Sequence, residues 1–121
     1  MKTKDRTILE KIHAEASEID DLIKGYNEDS FISDTKTKKA VCMTLINIGE
    51  LISHLTPELR NATNHVPWKK ISGLRNVAAH SYSTLRMDDV WSYASIDTPV
   101  FKQQIQGILD KGIDNPEYGM C

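Results

Sequence analysis

The chain has 121 residues, 40% of them hydrophobic and 26% charged, with a formal net charge of −2; that is room for one domain, residues 1–121, in an ordinary globular range and outside the disordered one. No apolar run approaches the ~20 residues of a membrane span, and the opening stretch MKTKDRTILEKIHAE lacks the apolar core of a secretory signal. Cys42 and Cys121 show neither metal-site nor disulfide spacing, so the expected setting is the cytoplasm, with no membrane and no metal.

Ile8, Ile12, Ala16, Ile19 and Ile23 recur every three or four residues, which predicts a first helix with one apolar face, closed at Gly25. Ser33 or Asp34 supplies the cap of a second helix, whose stripe runs through Val41, Leu45, Ile48, Leu51, Ile52 and Leu55 until Pro57 stops it. The polar stretch TPELRNATNHVP (56–67) reads as a loop with one helical turn. Pro67 suits the first turn of a third helix, burying Trp68, Ile71, Leu74, Val77 and Ala78 and finishing near His80. A fourth starts at Asp88 and Asp89, whose charges favour a helix N-terminus, and carries Val90, Trp91 and Ala94 inward. Asp97-Thr98-Pro99 reads as a fresh cap and first-turn proline. The last helix then buries Val100 or Phe101, Ile105, Ile108 and Leu109, ends at Gly112, and leaves a loose tail after about 113. No segment alternates with period two. The expected fold is an all-α up-and-down bundle of four main helices with the last one split.

The charge is unevenly spread: residues 1–30 carry −3, residues 31–91 carry +3 and residues 92–121 carry −2. The basic middle holds Lys36, Lys38, Lys39, Lys69, Lys70, Arg75 and Arg86, thinner than the footprint of a duplex-DNA binder. Phosphate loops, His-Glu-x-x-His, Cys-x-x-Cys and EF-hand loops are absent. His13, His54 and His65 read as surface residues. His80 stands apart, because Arg75-Asn76-Val77-Ala78-Ala79-His80-Ser81-Tyr82 gathers an arginine, an amide, an imidazole and a phenol. On a helix Asn76 and His80, four apart, share a face. An imidazole titrating near neutrality can take a proton from a ribose 2′-OH, and a guanidinium can stabilise charge building on phosphorus. The same residues also suit a helix-end polar cluster that caps carbonyls. Spacing leaves both readings open.

At these residues the sequence resembles the HepT-like branch of the HEPN superfamily, whose signature Arg-x4-His-x-Tyr stands complete from Arg75 to Tyr82, with Asn76 after the arginine. Val66-Pro67-Trp68, Ile71-Ser72-Gly73-Leu74, Val90-Trp91 and Ile48-Gly49-Glu50 resemble the family's flanking patterns, so the likeness extends from about residue 5 to 110. The resemblance implies a toxin of a toxin–antitoxin pair: a cofactor-free, metal-independent ribonuclease acting on RNA as a homodimer, its two motifs facing one cleft. Arg75 and His80 would be catalytic, with Asn76 in support. The implied antitoxin is a minimal nucleotidyltransferase, MntA-like, that silences the toxin by attaching AMP to Tyr82. Glu50 is expected to be partly buried and to meet Arg75 or the dimer partner, although a solvent-facing glutamate fits its position equally. The alternative reading is a non-catalytic helical subunit that binds a nucleotide or the nucleotidyltransferase and presents Tyr82.

Overall fold

The structure, a computed structural model, describes residues 1–73 and 86–112. Every regular element among them is helical: α1 (Thr3–Ile23), α2 (Glu28–Ser33), α3 (Thr35–Ile52), α4 (Pro57–Ala62), α5 (68–73), α6 (Met87–Ser92), a π-helical segment (Tyr93–Asp97) and α7 (Thr98–Lys111). The all-α expectation is met. No described helix is long and apolar enough to cross a membrane. The end of the third helix (Leu74, Val77, Ala78) and the tail after 113 lie outside the described residues.

α1 is the spine of the bundle and packs along both α3 and α7. Its stripe of Leu9, Ile12, Ala16 and Ile19 is fully buried, against Val41, Leu45, Ile48 and Ile52 of α3 and Phe101, Ile105 and Ile108 of α7. Removing one such side chain to alanine would cost about 2–5 kcal/mol, lost transfer energy plus the cavity left behind. Two polar ties add direction to this packing. Lys102 Nζ reaches Asp20 at 3.1 Å, and Arg6 Nη2 donates to the carbonyl of Leu109 near the end of α7 at 3.1 Å.

The predicted punctuation is largely in place. α1 ends ahead of Gly25, which holds the positive φ of +82° that a residue with a side chain resists. Asp34 caps α3 by accepting from Thr37 N at 3.1 Å, and Gly112 closes α7 at φ +73°. Asp88 and Asp89 lie in the first turn of α6. Phe101 is buried while Val100 is 55% exposed, which resolves the choice between them.

Three expectations are corrected. Pro57 does not stop α3, which ends at Ile52; it opens α4, where its missing N–H costs nothing, behind Thr56 as cap. Pro67 precedes α5 by one residue and contributes its carbonyl, which accepts from Ile71 N at 3.0 Å. Asp97-Thr98-Pro99 does not restart a helix. Asp97 has helical angles and no capping hydrogen bond, and the chain runs on from α6 to α7 through the wide π turn, where Thr98 Oγ1 donates to the carbonyl of Tyr93 at 2.8 Å. Proline in a helix removes an N–H and crowds the carbonyl four residues back, and a wide turn ahead of Pro99 makes room for that ring. The short helix α2 was not expected; it is closed by a reciprocal capping box between Asn27 and Ser30 and buries only Phe31.

Candidate functional site

Arg75, Asn76, His80 and Tyr82 all lie outside the described residues. The structure describes the residues that flank their segment on each side.

On the entering side the anchor is Trp68, 7% exposed. Its indole N–H donates to Thr63 Oγ1 at 3.1 Å, and its ring meets Phe101 of α7 edge-on, centroids 5.8 Å apart. Thr63, fully buried, in turn donates to the carbonyl of Leu59 at 2.7 Å, so its hydroxyl is used both as donor and as acceptor. The start of α5 is thereby tied to α4 and α7 at once. Ile71, 5% exposed, adds the second buried contact. On the leaving side Arg86 forks onto Asp88, with Nη2 at 2.8 Å and Nε at 3.3 Å from the two carboxylate oxygens. This pairing holds the Asp88 carboxyl below, and the guanidinium above, their ordinary pKa ranges. Behind it Val90 is buried, and Trp91 packs on Phe31 at 5.3 Å.

Glu50, expected to be partly buried, is exposed on α3. It lines an open groove of about 500 Å³ between α1 and α3, together with Lys11, Ala14, Glu15, Glu18, Asn47, Leu51 and His54. Its expected partner Arg75 is outside the described residues. Burial, and the charge of Glu18 beside it, push the Glu15 carboxyl above the usual glutamate range. His54 is exposed and sits in the turn after α3, His65 is exposed in the α4–α5 loop, and His13 is half-buried on α1. Among the described residues no three His, Cys, Asp or Glu side chains come together as a metal site.

The basic middle of the chain sorts into paired and unpaired cations. Arg86 is committed to Asp88, and Lys70 lies 3.6 Å from Asp97 and over the Tyr93 ring. Lys69 and Arg60 instead share a second pocket, also about 500 Å³, with Pro57, Asn61, Trp68 and Ser72. Among the described residues no carboxylate lines it. The sequence pattern gave no reason to single out Arg60, which sits in a polar stretch with no periodicity; only the packing of α4 beside α5 brings it to Lys69.

Comparison with known proteins agrees with the motif. A family model described as ribonuclease HepT-like matches residues 12–108. A protein of Caldanaerobacter subterraneus subsp. tengcongensis named "Putative RNase" is 32% identical over 111 residues, covering 92% of this chain and 98% of its own length. One of the same name from Methanocaldococcus jannaschii is 31% identical over 110 residues, covering 90% of this chain and 91% of its own. Another from that organism, named "Gamma-glutamylcyclotransferase and putative RNase", is 30% identical over 104 residues, 86% of this chain but 45% of its own. No solved structure matches. With the family model spanning the motif and the helices on both sides of it, the chain belongs to the HepT-like ribonuclease family of the HEPN superfamily.

Proposed function

We propose that this protein is the toxin of a toxin–antitoxin pair, an endoribonuclease that cuts RNA without a metal ion. The observation that carries the reading is the family match over residues 12–108, inside which Arg75-Asn76-Val77-Ala78-Ala79-His80-Ser81-Tyr82 stands complete. In this reading His80 takes the proton from a ribose 2′-OH as the 2′ oxygen bonds to the adjacent phosphorus. The bond from phosphorus to the 5′ oxygen breaks, and that oxygen receives a proton from the second His80 of a homodimer or from water. Arg75 stabilises the charge on the phosphoryl oxygens, and Asn76 orients the imidazole. The products are a 2′,3′-cyclic phosphate and a 5′ hydroxyl.

Silencing follows from the same site. A nucleotidyltransferase antitoxin transfers AMP from a nucleoside triphosphate to the Tyr82 hydroxyl, pyrophosphate leaving. The added phosphate then occupies Arg75 and repels the phosphates of RNA.

The test is cleavage of an end-labelled RNA pool in EDTA by wild type and by His80→Ala, with the 3′ ends identified. Cyclic-phosphate ends from wild type alone are expected. Equal cleavage by both proteins would remove His80 from the mechanism. An intact mass free of added AMP, together with no cleavage by either protein, would favour the non-catalytic subunit.

A further inference from the structure

The pocket between α4 and α5 differs in charge from the groove between α1 and α3. Three glutamates line the groove, whereas the pocket holds two cations, an amide and a hydroxyl: Arg60, Lys69, Asn61 and Ser72. Among the described residues neither Arg60 nor Lys69 makes an ion pair. Arg60 Nε is buried and has no hydrogen-bond partner among the described residues. A buried N–H without an acceptor is disfavoured and rare in folded proteins, more so on a charged group, so at this nitrogen the guanidinium is not committed to an acceptor of the described residues. The other donors are available. Among the described residues Ser72 Oγ makes only a long 3.4 Å contact with the carbonyl of Lys69, while the indole N–H of Trp68 is spent on Thr63, leaving its ring as an apolar wall. A guanidinium fork beside an ammonium, with no competing carboxylate among the described residues, is a phosphate-recognising set.

Its place in the chain gives the phosphate a source. Ser72 stands three residues before Arg75, and three residues span at most about 11 Å whatever their path. We propose that Arg60 and Lys69, with Asn61 and Ser72, bind a backbone phosphate of the RNA substrate flanking the one that is cut. This subsite rests on the ribonuclease reading for the identity of its ligand, and on the pocket itself for the anion.

The test uses the full-length chain carrying His80→Ala, so that RNA survives, and compares it with the same chain carrying Arg60→Gln or Lys69→Gln. Binding of a fluorescein-labelled single-stranded RNA is followed by anisotropy between 50 and 200 mM salt. Each neutralised contact should lower the slope of log K against log salt by about 0.7 and weaken binding several-fold, with Arg60→Lys recovering most of the slope. In the catalytically intact background the loss should fall on KM rather than kcat. Lys69 is exposed, so Lys69→Gln reads the site without disturbing the core. Unchanged slopes in both variants would overturn the proposal. Inorganic phosphate shifting the amide resonances of the pocket, with RNA affinity equal in all variants, would overturn the RNA assignment and leave a free-phosphate site. Altered slopes with no cleavage by wild type of AMP-free intact mass would instead overturn the ribonuclease reading and keep the anion pocket.

Discussion

Asp5, in the first turn of α1, accepts two hydrogen bonds from Thr56, one from its backbone N–H at 3.0 Å and one from its hydroxyl at 2.6 Å. Asp5 is 2% exposed. The same Thr56 hydroxyl accepts from Leu59 N at 3.2 Å, so one carboxylate ties the end of the α3–α4 loop to the spine of the bundle and orients the cap of α4. Asp5→Ala would leave two donors unanswered; a hydrogen bond to a charged group contributes about 1.5–3 kcal/mol, and because Thr56 is only part-buried water recovers some of the two. A loss of roughly 2–3 kcal/mol in urea unfolding is expected, with Asp5→Asn intermediate because it keeps one acceptor. A change under half a kcal/mol would show that the loop is held by its apolar contacts alone.

Thr63 and Trp68 form the second polar tie, one wholly inside the core. Thr63→Val keeps the shape and removes the acceptor of the indole N–H. The buried donor left behind should cost about 1–3 kcal/mol, and Trp68→Ala, which empties the space against Phe101, about 3–5 kcal/mol. Both are measured by denaturant unfolding. If Thr63→Val is neutral, the tie does not hold α5 in place.

The Asp34 carboxylate accepts from the Tyr26 hydroxyl at 2.6 Å and caps α3 through Thr37; the Tyr26 bond and then the Thr37 bonds hold its pKa below the usual 3.8. A depressed carboxylate stabilises the fold fully above the unfolded value, and that contribution fades as pH falls through the folded one. Tyr26→Phe should therefore raise the Asp34 pKa toward 3.8, read from the side-chain carboxyl resonance in an NMR titration. No movement would assign the depression to the helix cap.

Glu15 has the opposite sign. Its raised pKa, caused first by burial and then by Glu18, means that the charged form opposes folding. The cost is absent in acid, develops as pH rises through the ordinary value near 4.5, and persists above the folded value. Glu15→Gln should raise Tm at pH 7 and leave it unchanged near pH 3. Equal gains at both values would point to packing rather than charge.

Much of this fold is legible in the sequence because its signals are local. The stripe from Ile8 to Ile19, the Asp34 cap and the closing Gly112 each depend on a few adjacent residues. What was missed depends on distant ones. Asp5 is buried because Thr56 lies against it, Thr63 because Trp68 folds over it, and Arg60 meets Lys69 only once α4 and α5 are packed side by side. The six-residue α2, burying one phenylalanine, is too short to show a period. The candidate catalytic residues were legible in another way. Arg75 and His80 emerged from a family signature, and spacing alone left them open to a purely structural reading.

The wide turn at Tyr93–Asp97 also bears on where this chain can lose a residue. A π turn is an α-helix holding one surplus residue, and Ile96, 64% exposed, can serve as that surplus without emptying the core. A chain shortened by that one residue should therefore keep both flanking helices in register, provided Pro99 is replaced as well, since a regular helical pitch would drive its ring into a carbonyl.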